Sequence, residues 1–255
     1  MRYAMSLAGL DPSGGAGLLA DIKTFEAWHI RGLGVCTALT VQTDTAFLGV
    51  EWISAGNIIA QALPLVQQYP VDYCKIGIVS HPETIAEVIA AIRAVRPGIA
   101  FVLDPVLRAS AGYAFHNAIH SKWISILPSI KLLTPNYDEA VAMSGLPDGE
   151  AGSRSMAALC AVLLKGGHRP HRPGLDTLFQ QHAETDLPPT GNQAFPKHGS
   201  GCVLSASITA ALASGLPLED ACRAGKDYTY RYLMSSPALV GWHEKEVVHN
   251  SHNPD

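Results

Sequence analysis

The run Lys197-His198-Gly199-Ser200-Gly201-Cys202 is followed by the small and apolar residues Val203-Leu204-Ser205-Ala206-Ser207-Ile208-Thr209-Ala210-Ala211-Leu212. Two glycines around a serine let the backbone turn with its amides inward, and the residues behind them read as a buried helix starting near Gly201. Such a helix begins with unpaired N–H groups at the positive pole of its dipole. Gly199, Ser200 and Gly201 therefore make a mouth suited to an anion, a phosphate above all. Cys202 falls in that first turn, where the same field favours a thiolate over a thiol, and it is the chain's best candidate for a general base. Taken alone, Gly-Ser-Gly ahead of a helix reads equally well as a tight turn.

Three further loops carry polar chemistry. Gly9-Leu10-Asp11-Pro12-Ser13-Gly14-Gly15-Ala16-Gly17 closes an apolar run and opens a helical one. Its glycines allow the backbone close to a ligand, but it is neither GxGxxG nor a Walker A sequence, and a plain turn has an equal claim. Asp21 follows one turn into that helix, where the bland reading is a solvated surface acid. In Thr134-Pro135-Asn136-Tyr137-Asp138-Glu139, Pro135 stops a strand, Asn136 is an N-cap and Glu139 stands at the third helical position, the spacing of a capping box. A carboxylate there can also hold water on a magnesium ion. Leu163-Leu164-Lys165-Gly166-Gly167-His168 puts a lysine at the end of a buried strand before two glycines, with a solvated lysine as the alternative. His116 and His120 have a zinc-like spacing but no third ligand or catalytic Glu nearby, so they read as a surface pair, and His249 and His252 belong to the tail. No Gly-x-Ser-x-Gly elbow supports serine hydrolysis.

The elements that must position these loops alternate along the 255 residues. Strands are expected at 3–8, 32–41, 71–76, 99–103, 130–133 and 162–164. Helices are expected at 16–28, 57–68, 82–95, 115–127, 138–143, 156–160, 201–213 and 218–234. This order predicts one α/β domain over 1–255, with a mainly parallel sheet covered on both faces and ligands at the carboxyl ends of its strands. The Pro-, His- and Gly-rich stretch 168–197 is expected to carry a hairpin starting at 177–179, and 242–255 to form a frayed polar tail. Eighteen basic against 22 acidic side chains give a net charge of −4, with no signature of a nucleic-acid or membrane surface. Cys36, Cys74, Cys160, Cys202 and Cys222 are odd in number and lack any CxxC pairing, which argues for a reducing cytoplasm. The first apolar run is too short for a signal peptide, and no stretch approaches the roughly 18 apolar residues of a membrane span.

Six motifs occur in one order: Ala-Gly-x-Asp-Pro-Ser-Gly-Gly-Ala-Gly over 8–17, Lys75-Ile76-Gly77, Val102-Leu103-Asp104-Pro105-Val106, Thr134-Pro135-Asn136-x-x-Glu139, Lys165-Gly166-Gly167-His168 and Gly199-Ser200-Gly201-Cys202. Together they closely resemble the hydroxymethylpyrimidine/phosphomethylpyrimidine kinases of thiamin biosynthesis, within the ribokinase-like superfamily, over roughly residues 3–234. The resemblance implies a three-layer ribokinase-like fold. It also implies a homodimeric cytoplasmic kinase that uses ATP and Mg2+ on 4-amino-5-hydroxymethyl-2-methylpyrimidine and its monophosphate. By the same resemblance Gly199–Cys202 is the phosphate-cradling anion hole, with Cys202 in the base position that other ribokinase-like enzymes fill with Asp. Gly9, Asp21, Gln42 and Val106 correspond to the pyrimidine pocket, with Ile78 where the family often has Met. Asn136 and Glu139 match the magnesium and phosphate motif, Glu139 acting through water. Asp104 and Lys165 fall near the nucleotide phosphates, Asp104 also on the metal side, and Lys226 matches a lysine often found on the last helix.

The residue types suit that chemistry. The amide of Gln42 can pair with the adjacent donor and acceptor of an aminopyrimidine edge. A residue without that pattern would leave polar groups unpaired at about 1–3 kcal/mol each. Three departures stand out: Ser200 replaces a usual Thr, the stretch 147–165 is short, and no Gly-His-Gly follows the last helix. A pyridoxal kinase, with the same fold and a Gly-x-Gly-Cys loop, is the alternative within the superfamily, differing only in the substrate pocket, where Gln42 with the Asp-Pro-Ser-Gly-Gly loop favours the pyrimidine. A pyrimidine- or nucleotide-binding regulator is the non-catalytic alternative, against which Cys202 and Glu139 both speak.

Overall fold

In the computed structural model, which describes residues 1–108, 120–167 and 169–245, strands that are apolar on both parities make a sheet buried on two faces. β1 (Tyr3–Leu10), β2 (Arg31–Gln42), β3 (Phe47–Trp52), β4 (Val71–Ile76), β5 (Ala100–Leu103), β6 (Leu132–Leu133), β7 (Ala161–Leu164), β8 (Asp176–Gln180) and β9 (Ala183–Leu187) form one sheet. Their order is β3-β2-β1-β4-β5-β6-β7-β8-β9. The strands from β2 to β7 are parallel, in a register that sets Met5 beside both Leu33 and Cys74. β3 at one edge and the β8–β9 hairpin at the other run antiparallel.

Successive residues of each strand enter opposite layers. Phe101 and Leu103 join Ile85, Trp123 and Met143 on one face, whereas Val102 joins Val203, Ile208 and Tyr232 on the other. The first face is covered by α2 (Ala55–Gln68), α3 (Pro82–Val95), α4 (His120–Ile126), α5 (Tyr137–Ser144) and α6 (Gly149–Met156), the second by α1 (Gly17–Ala27), α7 (Ser200–Ala213) and α8 (Leu218–Met234). α7 is buried without interruption from Val203 to Leu212 because it lies between sheet and helices, which explains a sequence apolar on every side.

The three-layer α/β architecture, the mainly parallel sheet and the β8–β9 hairpin agree with expectation, and several details do not. β3 was not anticipated, since a glycine-containing run with half-exposed residues gives a weak strand signal; it pairs with 38–42 of β2. The helix expected at 156–160 lies earlier, at Gly149–Met156. Asp148 caps it by accepting from the Ala151 amide at 2.7 Å, and its buried face, Gly149, Gly152, Ser153 and Met156, has helical spacing but a single large apolar residue to mark it. Of the helix expected at 115–127, the part from His120 is described, and His120 bonds the Met143 carbonyl. His116, His168, His249 and His252 lie outside the described residues.

The chain expected to fray from 242 is held as far as His243. The Gly241 amide donates to Tyr232 Oη at 3.2 Å and the Trp242 amide to Ser235 Oγ at 2.8 Å. The His243 ring lies 4.8 Å from that of Tyr232, with Nδ1 3.1 Å from Tyr228 Oη. Burial pushes the His243 imidazole down to about 4. A histidine held below its ordinary 6.5 stays neutral in the folded state while the unfolded chain takes up a proton, so stability falls as pH drops from 6.5 towards 4. Replacing His243 by Gln is expected to flatten that loss in urea titrations across the window. An unchanged slope would assign the acid sensitivity to another group.

Candidate active site

The carboxyl ends of the parallel strands and the mouth of α7 enclose a cavity of about 700 Å³, a usual size for a small-molecule site. It lies beside β1, where the strand order reverses between β2 on one side and β4 on the other. Gly9, Gln42, Ile78, Asp104, Val106, Asn136, Glu139, Lys165, Gly199, Ser200, Gly201, Cys202 and Lys226 all line it. Of the site residues that the family resemblance implies, Asp21 alone is not in its lining.

Gly199 is the N-cap of α7 and has φ +76. A Cβ there would overlap the Gly15 carbonyl and come within 2.7 Å of Ala16 Cα, so only glycine allows both the left-handed backbone and the approach of the first loop. No side chain among the described residues caps α7, which leaves its first-turn amides as donors at the cavity edge. Cys202 sits in this turn, half-buried, and the Gly17 amide donates towards its sulfur. The expected thiolate is not what the surroundings favour. Burial pushes the Cys202 thiol up to about 11, with Asp21 and Asp104 adding to the rise, while Lys75 and the Gly17 amide offset only part. Desolvating a sulfur anion works against the helix-mouth field on which the expectation of a thiolate rested.

Asp21 is neither a surface acid nor a wall of the cavity. It is fully buried, accepting from Lys75 Nζ at 2.9 and 2.7 Å and from Ser6 Oγ at 2.6 Å. Lys75, itself 0% exposed to solvent, lines the cavity, so the carboxylate acts on the site through an ammonium. Burial disfavours that charge, but Asp21 first, with Cys202 and Asp104, together outweigh it and hold Lys75 well above its ordinary value. Sequence reasoning gave Lys75 no role, although the signal was present. A lysine inside the apolar strand Val71-Asp72-Tyr73-Cys74-Lys75-Ile76 needs a buried carboxylate.

Along the sheet from β5 to β7 lies a second charged group. Lys165 Nζ is 2.7 Å from Asp104 Oδ1 and 3.8 Å from Glu139 Oε2. Asp104 also accepts from Thr134 Oγ1 and Ser205 Oγ, each at 3.3 Å. Burial opposes its charge, yet Lys165 and Lys75 outweigh this and hold the Asp104 carboxyl below the usual range. Glu139 is pushed up to about 6, by burial first and Asp104 second, against the pull of Lys165. The capping box is present. Glu139 Oε2 accepts from the Asn136 amide at 2.7 Å, and Asn136 Oδ1 accepts from the Glu139 amide at 2.8 Å. The same Glu139 carboxylate lines the cavity.

At the far end, Lys226 Nζ sits 2.8 Å from Asp176 Oδ2 and donates to the Gly174 carbonyl at 2.7 Å. Asp176, which sequence reasoning missed, also accepts from the Gly166 amide at 2.6 Å, tying the Lys-Gly-Gly turn to α8. At the opposite end Gln42 Nε2 donates to Thr40 Oγ1 at 2.9 Å, and its Oε1 has no partner among the described residues. The described residues hold no cluster of three or more His, Cys, Asp or Glu able to cage a metal. No helix among them is long and apolar enough to cross a membrane.

A doubly covered parallel sheet with amide donors at a helix mouth, a thiol beside them and a lysine between two carboxylates defines a phosphotransferase for small molecules. A family model described as phosphomethylpyrimidine kinase matches residues 11–246, and the chain belongs to that family. The hydroxymethylpyrimidine/phosphomethylpyrimidine kinase of Rhizobium meliloti (strain 1021) is 36% identical, over 98% of this chain and 97% of its own length. The solved phosphomethylpyrimidine kinase of Clostridium difficile 630 aligns with a TM-score of 0.75 at 30% identity, covering 90% of this chain and 98% of that one. The Bacillus subtilis pyridoxal kinase in its ADP complex aligns at 0.80 with 26% identity, covering 96% and 97%.

Proposed function

We propose that this chain transfers phosphate from ATP to the hydroxymethyl group of 4-amino-5-hydroxymethyl-2-methylpyrimidine and then to the resulting monophosphate. The observation that carries the reading is the order of groups in one cavity. Gln42, Ile78 and Val106 come from the β2–β5 end, Lys165 and Lys226 from the β7–α8 end, and Cys202 with the α7 mouth lies between. Gln42 Oε1 accepts from the pyrimidine amine, and its second N–H donates to the adjacent ring nitrogen. Ile78 and Val106 are the apolar walls. ATP lies over Lys165 and Lys226, with its transferred phosphate against the amides of Ser200, Gly201 and Cys202. Cys202 takes the proton of the attacking hydroxyl.

The residues fit a magnesium ion. Asp104 and Glu139 set two carboxylates against the single ammonium of Lys165, and that excess negative charge contributes to the raised Glu139 carboxyl. Magnesium accepts one or two carboxylates together with phosphates and water. Asp104 and, through water, Glu139 would hold it, and when bound it neutralises phosphate charge. Leu39, Val41 and Leu48 stand 43%, 60% and 74% exposed on the β2–β3 edge, which supports a homodimer through that edge. Five free thiols support a cytoplasmic location.

The test is Mg2+- and ATP-dependent ADP release by purified protein offered hydroxymethylpyrimidine, its monophosphate or pyridoxal. Turnover of both pyrimidines with pyridoxal poor is expected. A preference for pyridoxal would overturn the substrate, and no release with any of the three would overturn the kinase role.

A further inference from the structure

One carboxylate holds the two glycine loops of the site together. Asp11 Oδ1 accepts from the Ser13 amide at 2.8 Å. Its Oδ2 accepts from Ser13 Oγ and the Ala16 amide, each at 2.9 Å, and from His198 Nε2 at 2.8 Å. His198 immediately precedes the N-cap of α7, and both partners are buried, at 1% and 7% exposure. A charge at the start of the first loop is therefore bonded across to the residue that opens the second. Burial works against that charge, but the bonds from His198 and Ser13 outweigh it and hold the Asp11 carboxyl below its ordinary range.

The bond fixes how closely the loops meet. Gly15 and Ala16 press on Gly199 where no Cβ fits, and one residue further on the Gly17 amide reaches the Cys202 sulfur. The His198 ring also packs on Gly15, where a Cβ would come within 2.8 Å of its Cδ2. Its Nδ1 is buried with no partner among the described residues, so Nε2 to Asp11 is the ring's polar contact.

We propose that Asp11 and His198 are positioning residues for Cys202, their hydrogen bond locking the first loop onto the mouth of α7 so that the Gly17 amide stays on the sulfur. The proposal rests on the reading of Cys202 as base for the hydroxymethyl group. The titratable groups that face the thiol, Lys75, Lys165, Asp21, Asp104 and Tyr232, belong to other elements and are not themselves changed below.

The experiment compares the full chain with His198→Leu, which keeps bulk but cannot donate, and His198→Gln, whose amide nitrogen can replace Nε2. Alkylation of Cys202 by iodoacetamide is followed across pH on the Cys202 peptide by mass spectrometry, and kcat and KM are measured for both phosphorylations. His198→Leu is expected to slow alkylation at fixed alkaline pH by about threefold or more, as a thiolate that loses one hydrogen bond gives up a fraction of the tenfold carried by each pKa unit. Its kcat for the hydroxymethyl group falls while KM for ATP holds, and His198→Gln recovers both. Asp11→Asn weakens the same bond and shifts alkylation in the same direction, which keeps the test available if His198→Leu does not fold. An alkylation profile unchanged in His198→Leu and Asp11→Asn overturns the proposal, as does equal loss in His198→Gln and His198→Leu. A shifted profile with the first phosphorylation intact would uphold the clip and overturn Cys202 as the base, so the two failures are distinguishable.

Discussion

Replacing Cys202 by Ala lowers kcat for phosphorylation of the hydroxymethyl group by about 10²–10⁴-fold, the usual worth of a positioned base, and slows phosphorylation of the monophosphate far less. The asymmetry follows from the acceptors. A neutral hydroxyl must lose a proton as it attacks, whereas a phosphomonoester oxygen is already an anion and needs only position and charge neutralisation. The thiol gives this a pH signature. With Cys202 raised to about 11, thiolate is scarce at neutral pH and grows about tenfold per pH unit below that value. In single-turnover measurements the first phosphorylation should therefore climb steeply from neutral to alkaline pH while the second stays nearly flat, and Cys202→Ala should abolish the climb. Equal losses in both reactions, or a first step indifferent to pH, would refute this division.

The raised thiol also marks where reading the sequence stopped. Strand ends could be read because each apolar run breaks at a polar residue: Asp104 after β5, Asn136 after β6 and Lys165 after β7. A parallel sheet then gathers those breaks at one end whatever the crossovers do. The anion mouth could be read because glycine at Gly199 and Gly201 has few competing uses before a buried helix. Partnerships could not. Asp21 and Lys75 are 54 positions apart, and neither local pattern says that the acid is buried or which cation meets it. Asp176 to Lys226 and Asp11 to His198 are of the same kind. The sign of the Cys202 shift was misjudged because a helix mouth is visible in sequence and desolvation is not. α6 starts earlier than its sequence suggests because the face it buries is Gly149, Gly152, Ser153 and Met156, whose spacing is helical but which includes only one large apolar residue.

Lys75→Met is expected to destabilise the protein by about 3–5 kcal/mol, the usual result of removing one partner of a buried ion pair, because Asp21 is left charged at 0% exposure with only Ser6 to donate to it. The double variant Lys75→Met with Asp21→Asn should recover most of that loss, since burying two neutral groups carries no ionic desolvation. Urea unfolding of both measures the difference. Burial already holds the Asp21 carboxyl above its ordinary 3.8 against the pull of Lys75 and Ser6, and in the single variant the loss of Lys75 raises it further, so the folded state binds the proton that the unfolded state releases. Its stability is then greatest below that value and falls as pH rises through the folded pKa. A single variant as stable as wild type at neutral pH would mean the pair contributes no net electrostatic stability. The double variant separates fold from chemistry. It removes Lys75, which lowers the Cys202 thiol, together with Asp21, which raises it; the lysine has the larger effect, so Cys202 holds its proton more tightly by the difference, and the first phosphorylation should drop modestly more than the second. Lys75 would then be a charge kept inside the sheet for the sake of the sulfur above it.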